Sequence, residues 1–348
     1  MNIRQTTESD REQWDNYAEF HPEATPYHLF AWSTAIRNAY GFKNFNLIAE
    51  ENNRVSGIFP MTMLKIPLQR PELVALPYCD IGAPLGTSPE TIAEMLRTAL
   101  SIAKKNNASM VHIRGGIGTD FLADHKYQVQ ASSKKVRMLL ELPESAEKLQ
   151  EGFKSKLRSQ IRKAEKNGLT FQFANEKVDD FYSVFSINMR DLGSPVHSKK
   201  WFEEIIKQYA DNAKVGLVYH NDKAIGAGII LRVGNTIAIP WASTLGRFNH
   251  LNPNMMLYWK FLEFAADNGA QVFDFGRSTP DEGTYKFKAQ WGATPEPLTW
   301  HDIFLNDIVQ KEKSGPNNYR QIAKNIWQKL PLGLANFLGP VVRKYIKL

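Results

Sequence analysis

The chain has 348 residues, of which 43% are hydrophobic and 23% charged, and these proportions are typical of a folded soluble protein rather than of a disordered chain. Its length favours two domains. The single cysteine, Cys79, excludes an internal disulfide, and no histidines have ligand spacing, so no metal site is expected. The polar first ten residues do not have the pattern of a signal peptide, and the sequence predicts a cytoplasmic protein.

The first half of the chain alternates helical and strand patterns. We expect helices over 11–20, 28–40 and 91–104, and strands over 46–50, 55–63, 73–76, 110–114, 127–130 and 136–142. The last two strands are expected to form a closing pair. Together these patterns predict a mixed α/β domain over 1–144.

The second half repeats the same rough order. It opens with a helical region that ends at Gly168, as a C-terminal glycine predicts. The further elements expected are helices over 178–191, 200–209, 254–267 and 285–288, and strands over 169–173, 215–220, 224–233, 236–242, 272–275 and 298–303. A second α/β domain over 145–307, built like the first, favours a duplicated fold.

Positive charge is concentrated at the C-terminus. Residues 308–348 contain eight basic residues and one acidic residue, whereas the rest of the chain contains 35 of each sign. This distribution predicts a basic helical tail over 308–348 with an anionic partner.

Basic residues also recur every fourth position in the second half. Lys154, Arg158, Arg162 and Lys166 share one face of an expected helix. Like charges at this spacing repel one another, which is a cost that an anionic ligand would offset. The alternative is that the stripe is simply a solvated face.

Four stretches carry a resemblance to a known family. They are KLRSQIRKAEKNGL from Lys156, MRDLGSPVHSKKWF from Met189, FDFGRS from Phe273 and GTYKFKAQWGATPEPL from Gly283. Together they resemble the Fem family of peptidyl and aminoacyl transferases, in particular its branch associated with exosortase and exopolysaccharide systems. The first half is similar through Trp32, Gly57, Pro60 and the loop LPYCDIGAPL.

The resemblance implies two tandem acetyltransferase-like (GNAT-like) domains with mixed sheets. It also implies transfer of an acyl or aminoacyl group from an activated ester or thioester to an amine. In the best understood members the donor is aminoacyl-tRNA and the acceptor is a cell-wall precursor. We therefore expect tRNA and a lipid- or nucleotide-linked envelope precursor as partners, and no tightly bound cofactor.

Two departures leave the donor open between aminoacyl-tRNA and acyl-CoA. The sequence has no extended coiled-coil insertion of the kind found in the long-armed members, which weakens the case for tRNA. The segment TLGRFNHLNPNMM lacks the glycine pair with which acetyl-CoA enzymes of this fold cradle the pyrophosphate. Resemblance nevertheless favours phosphate binding by Arg158 and Arg162, on tRNA or on a diphosphate of the acceptor.

The FDFGRS and GTYKFK stretches supply the central site residues. Arg277 is expected to position the substrate with Asp274 orienting it, although the two side chains also suit a structural ion pair. Ser278 and Tyr285 are expected to bind substrate or donor. Lys288 is expected to face the cleft and stabilise the developing oxyanion or the donor's phosphate.

Two further candidates lie outside these stretches or at their edge. His197, in GSPVHSKKW, suits a general base that removes the amine proton, or else a binding or capping residue. Trp241, at a strand end, suits stacking on a ligand, or else the core.

Two function classes remain after this reading. The first is a FemAB-like N-acyltransferase acting on a cell-envelope or polysaccharide precursor. The second is a non-catalytic tRNA- or polysaccharide-binding module that keeps the fold. The apolar and basic segment LPLGLANFLGPVVRKYIKL also predicts peripheral contact with the inner face of a membrane, with packing on the second domain as the alternative.

Overall fold

The structure is a computed structural model that describes residues 1–117, 127–305 and 318–347. The start of the predicted tail, 308–317, lies outside the described residues. Contacts divide the chain into two compact units. Unit 1 comprises Met1–Arg137, Glu296–Lys311 and Tyr345–Leu348, and unit 2 comprises Met138–Pro295 and Glu312–Lys344. The domain boundaries expected at residues 144 and 307 stay predictions.

The N-terminal part of the chain contains short strands and three helices. Its described elements are β1 (Asn2–Gln5), α1 (Arg11–Phe20), α2 (Phe30–Tyr40), β2 (Lys43–Asn44), β3 (Leu47–Glu51), β4 (Arg54–Phe59), β5 (Thr62–Leu64), β6 (Glu72–Val74), β7 (Leu85–Gly86), α3 (Pro89–Lys105), β8 (Met110–Arg114) and β9 (Gln128–Glu141). Short 3₁₀ turns precede α1 and α2.

The C-terminal part contains longer strands and more helices. Its described elements are α4 (Ala146–Gly152), α5 (Ser155–Lys166), β10 (Thr170–Phe173), α6 (Val178–Asp191), α7 (Lys199–Tyr209), β11 (Ala213–His220), β12 (Lys223–Val233), β13 (Thr236–Thr244), α8 (Pro253–Asp267), β14 (Val272–Ser278), α9 (Gly283–Ala289), β15 (Thr294–Phe304), α10 (Asn318–Lys329) and α11 (Leu332–Arg343). Among the described residues, no helix combines the length and the apolar composition that crossing a membrane requires.

Two sheets form unit 1. One has the strand order β1-β3-β4-β7, and in the other the end of β15 pairs with β8, followed by β6, β5 and β2. Ser88 caps the start of helix α3, since its hydroxyl accepts a hydrogen bond from the Thr91 amide, and Pro89 suits the first turn. Its apolar face, with Met95 and Ala99, belongs to the core of the unit.

One mixed sheet forms the centre of unit 2. Strands β10, β11, β12 and β13 are antiparallel neighbours, and β14 lies parallel to β13. Phe261 of α8 packs on β11 and β12 at Gly216 and Gly228, where an added Cβ would lie 2.5 and 2.7 Å from its ring. These glycines therefore let α8 approach the sheet closely.

Several elements differ from the sequence expectation. The expected pair 127–130 and 136–142 is one continuous strand, β9, whose polar middle is solvent-exposed, and a polar stretch can continue a strand where it faces solvent. The expected strand 55–63 is split at Pro60 into β4 and β5. The helical region from Ser145 is split at Phe153, and β14 extends beyond Phe275 to Ser278.

Candidate active site

The sheet of unit 2 opens between its two parallel strands. β13 and β14 are in register from Thr236↔Val272 to Ala238↔Asp274. Beyond that point β13 remains paired with β12 as far as Thr244, while β14 continues to Ser278. The described residues show no pairing between the two strands there, so the end of β14 borders an opening in the sheet.

A bulge in β13 coincides with this opening. Trp241 lies opposite Ile229 and Ala238 opposite Leu231, so β13 has one residue more than β12 between the two pairs. The extra residue falls at Ile239 or Pro240, and Pro240 has no amide to donate to a ladder. The proline inside the strand pattern was a signal for the bulge that the sequence analysis missed.

The end of β14 is bent at Gly276. This residue has a φ of 73°, where a side chain would be strained. Its amide donates a hydrogen bond of 2.7 Å to Oδ1 of Asp274, which is 1% exposed. Asp274 therefore holds the bent backbone, while its predicted role of orienting the Arg277 side chain stays a prediction.

Lys288 of α9 reaches the same strand end. Its Nζ donates to the main-chain oxygens of Gly276 at 3.1 Å and Arg277 at 2.8 Å, and the residue is 8% exposed. The expectation that Lys288 presents its ammonium to an open cleft is therefore corrected. The carbonyls of this partly buried strand end require donors, and the ammonium supplies them. Its role at the oxyanion stays a prediction.

Arg277 and Ser278 lie within β14. The shorter strand expected from the sequence, 272–275, had placed them after its end. Arg277 is half-buried, and Ser278 is buried. Among the described residues, Oγ of Ser278 has no hydrogen-bond partner. A buried hydroxyl without a partner is costly, so this position is suited to a bound group that would complete the hydrogen bond.

Aromatic rings support the strand end from α8 and α9. Tyr258 stacks on Phe275 at 5.8 Å and meets the edge of Phe287 at 4.9 Å. Burial raises the pKa of the Tyr258 phenol, which keeps its proton at neutral pH. Tyr285 is half-buried and lies three residues before Lys288, on the same side of α9.

His197 and Trp241 belong to a different cluster. The His197 ring stacks on Trp201 at 5.7 Å, and Trp241 meets Trp201 and Phe202 edge to face. Burial, aided by the positive charge of Arg343, holds the pKa of His197 well below its ordinary value. A buried imidazole that resists protonation is a poor base, so the geometry favours packing roles for both residues.

Three residues of the predicted basic stripe, Arg158, Arg162 and Lys166, lie on α5, whereas Lys154 precedes the helix with a non-helical backbone and does not share that face as expected. Leu157 and Ile161 of this helix are buried, whereas Arg162 is exposed and Arg158, half-buried, donates to the main-chain oxygen of Glu151 at 3.3 Å. At the end of α5, Asn167 donates to the Leu251 oxygen at 3.0 Å, just before α8. The C-terminal end of α5, with Lys166, therefore lies near the N-terminus of α8.

That N-terminus offers few free donors. Pro253 occupies the first helical position and has no amide, and the amides of Met255 and Met256 both donate to the Asn252 oxygen. Unpaired backbone amides at the start of a helix can bind phosphate. The start of α8 has fewer of them, because of Pro253 and these two hydrogen bonds.

Sequence reasoning missed a partly buried ionic cluster in unit 1, in which His112 and Glu72 are buried. His112 lies with Nδ1 2.6 Å from Asp302 and Nε2 3.0 Å from Glu72. The ammonium of Lys347 contacts Glu72 and lies 2.6 Å from His112 Nε2. The main-chain oxygen of Lys347 accepts a hydrogen bond from the Tyr78 amide at 2.7 Å, so the chain end is fixed within unit 1.

Unit 1 also contains a cavity of about 570 Å³. Its wall includes His28, Gly115, Arg137, Glu296 and Leu298, and none of the predicted site residues. His28 is fully buried, and its Nε2 contacts the Ala83 oxygen at 3.1 Å.

Comparisons with known proteins agree with the tandem arrangement. A family model described as the acetyltransferase (GNAT) domain matches residues 152–289. The crystal structure of FemX has a TM-score of 0.71 at 16% identity, with 88% of this chain and 98% of that chain covered. A comparison with curated protein sequences found no match.

Two further solved structures have similar folds. L-PGS from Bacillus licheniformis has a TM-score of 0.55 at 11% identity and covers 99% of this chain and 98% of its own. A tandem GNAT protein from the clavulanic acid biosynthesis pathway has a TM-score of 0.54 at 11% identity and covers 86% and 97%. The expected fold class, a mixed α/β fold of tandem GNAT-like domains, is therefore confirmed.

Proposed function

We propose that the chain is an N-acyltransferase whose reaction takes place at the opening between β13 and β14. The observation that carries this proposal is the end of β14, where Arg277 and Ser278 border that opening and Lys288 fixes the backbone that precedes Ser278. This segment lies inside the match to the acetyltransferase (GNAT) domain. The resemblance to the Fem family and the fold shared with FemX support an aminoacyl or acyl group as the unit transferred.

The chemistry is amide formation. The nitrogen of a neutral amine attacks the carbonyl carbon of an ester or thioester, the new C–N bond forms, and the C–O or C–S bond breaks. The amine loses one proton and the leaving alcohol or thiol gains one. Since His197 is buried among rings, we assign the amine proton to water. Arg277 and Ser278 are assigned to hold the donor or the developing oxyanion.

Aminoacyl-tRNA is the donor that we favour over acyl-CoA. The start of α8 offers few free amides for a pyrophosphate, whereas Arg158, Arg162 and Lys166 provide positive charge along α5. Such a stripe suits a polyphosphate backbone that extends across the surface. An amine on a lipid- or nucleotide-linked envelope or polysaccharide precursor, in an exosortase-associated system, is the proposed acceptor, carried by the resemblance alone.

A non-catalytic binding module is the second candidate. The observation that favours it is that the Lys288 ammonium is already engaged by two carbonyls. A module of this kind would bind the donor without forming an amide.

An assay of ester-to-amide conversion tests the proposal. Total tRNA charged with labelled amino acids is mixed with the protein and with amino sugars and lysine peptides as acceptors, and labelled acetyl-CoA is tested in parallel. An aminoacyl ester is lost in mild base whereas an amide is retained, so base-stable label measures transfer. Base-stable label from tRNA supports the proposal. Base-stable label from acetyl-CoA alone overturns the choice of aminoacyl-tRNA as donor. Binding of a donor without base-stable label supports the non-catalytic binding module.

A further inference from the structure

The two C-terminal helices of unit 2 present their large apolar side chains to solvent. We define the tail patch as Ile322 and Ile326 of α10 with Leu334, Phe337, Leu338, Val341 and Val342 of α11. These seven residues are more than half of the exposed large apolar residues in the described ranges, and Phe337 is 74% exposed. Contiguous exposure of this kind on a folded surface indicates an interaction site.

Small residues of α11 face the protein instead. Ala335 and Gly339 are buried, and a Cβ added at Gly339 would lie 2.9 Å from a side-chain carbon of Val196 and 3.0 Å from its amide. Asn336 donates to Oγ of Ser186 at 3.4 Å. The helix is therefore fixed to unit 2 through its small and polar face, which leaves the large apolar face without a partner among the described residues.

Helix α10 is fixed in the same way. Gln328 donates to the Asp191 oxygen at 2.8 Å, and Arg190 donates to the Leu330 oxygen at 3.3 Å. Gly193 packs so closely on Lys324 that an added Cβ would lie 2.4 Å from its side chain. The folded unit thus holds both helices with the tail patch outward, and the patch does not require a rearrangement to become accessible.

The charge around the tail patch selects its occupant. Residues 318–347 contain no Asp or Glu, and the exposed Lys324 and Lys329 of α10 form a basic rim beside the apolar side chains in sequence. A second copy of the chain bound through the same patch would bring two basic rims together, which opposes a symmetric dimer. An apolar face with a basic rim matches an anionic lipid surface, where side chains enter the headgroup boundary and Lys and Arg meet lipid phosphates.

We propose that the tail patch docks unit 2 on the surface of an anionic membrane. The proposal is independent of the acyl-transfer proposal, since it uses none of the residues at the opening between β13 and β14. Phe337 and Val341 insert among the lipids, and the basic rim provides attraction that salt weakens.

Co-flotation of the full chain with vesicles tests the proposal. Vesicles of phosphatidylcholine with one-third phosphatidylglycerol are compared with phosphatidylcholine alone. We expect the unaltered protein to float with the anionic vesicles, and the double variant Phe337→Ser/Val341→Ser to lose binding by about tenfold or more. Phe20→Ser, which replaces an 80% exposed phenylalanine of α1, is the matched control and is expected to bind normally.

Three results would overturn the proposal. The first is no flotation of the unaltered protein at low salt, and the second is equal flotation of the double variant. The third is a dimer in sedimentation that the double variant converts to monomer, because that result would identify a second copy as the occupant. Circular dichroism and thermal melting of each variant verify that the fold is retained, and both substitutions are at exposed positions.

Discussion

The ammonium of Lys288 lies 2.8 Å from the main-chain oxygen of Arg277, and it also bonds the oxygen of Gly276. One side chain of α9 therefore fixes the two residues that precede Ser278 on β14. This contact links the Phe-Lys stretch to the FDFGRS stretch, which the sequence presents as separate signals.

Replacement of Lys288 by Ala is expected to lower both transfer and stability. Two carbonyls at a partly buried strand end lose their donor, at a cost of about 1–3 kcal/mol each in the free energy of unfolding. A residue that faced the cleft and acted only on the oxyanion, as the sequence analysis expected, would lower transfer without lowering stability. Urea unfolding and the base-stable amide assay measure the two effects. Lys286→Ala, at an exposed position of the same helix, is the control and should change neither.

The bend at Gly276 gives a second prediction. Gly276→Ala places a side chain at a φ of 73°, which is expected to destabilise the protein by about 1–2 kcal/mol and to reduce transfer. Gly283→Ala, where an added Cβ has no neighbour within 4 Å, should be neutral. If Gly276→Ala matched the unaltered protein in unfolding and in transfer, the bend would have no structural role.

Histidine burial predicts a loss of stability in weak acid. Burial lowers the pKa of His28 from 6.5 in the unfolded chain to about 4. Below pH 6.5 the unfolded chain gains a proton that the folded chain does not, so stability falls as the pH decreases towards 4, by about 3 kcal/mol for this group. His197 acts in the same direction. Urea unfolding between pH 7.5 and 4.5 measures the slope, which His28→Gln should reduce, and an unchanged slope in that variant would contradict this role of His28.

The ionic cluster of unit 1 predicts a role for the chain end. Burial alone would raise the pKa of Glu72, but the hydrogen bond with His112 and the charge of Lys347 outweigh it and hold that pKa below its ordinary value. Stability from Glu72 is therefore present above the ordinary carboxyl pKa and is lost as the pH falls through the lowered one. Lys347→Met should cost about 2 kcal/mol at pH 7 and shift that loss to higher pH. Lys105→Met, at an exposed end of α3, should change neither the stability at pH 7 nor its pH dependence. Equal unfolding curves for the two variants would contradict a stabilising role of Lys347.

The α5 stripe gives a prediction about salt. Arg158→Gln/Arg162→Gln should weaken tRNA binding and reduce the slope of log affinity against log salt by roughly 1–2. The reason is that each lost phosphate contact reduces the number of counterions that binding releases. Filter binding at several salt concentrations measures the slope. Lys207→Gln/Lys223→Gln removes two exposed charges elsewhere in unit 2 and serves as the control. An unaltered slope in the arginine variant would identify the stripe as a solvated face.

Local patterns predicted most elements because their signals are contained in short segments. Helix α1 has the expected bounds, since a polar start and apolar spacing identify it within ten residues. Strand β9 was predicted as two pieces because its exposed middle has the composition of a turn. The tandem fold was predicted from motifs, and the comparisons confirm it.

Features that depend on distant partners were not predictable in this way. Lys288 was expected in a cleft because the sequence does not show that the carbonyls of a bent strand would take its donors. Lys347 and His112 are 235 residues apart, and neither position has a local signal for their contact. The bulge in β13 can be identified only from the pairing of this strand with β12.

A reaction at the opening between β13 and β14 is tested most directly by comparing base-stable amide formation in four proteins. These are the unaltered protein, Arg277→Gln, Ser278→Ala and Arg54→Gln. We expect Arg277→Gln and Ser278→Ala, at the end of β14, each to lower the rate of amide formation by about tenfold to a thousandfold while the protein remains folded. Arg54→Gln, at an exposed position of β4, should retain the full rate. Equal rates for all four proteins would contradict a reaction at the opening between β13 and β14.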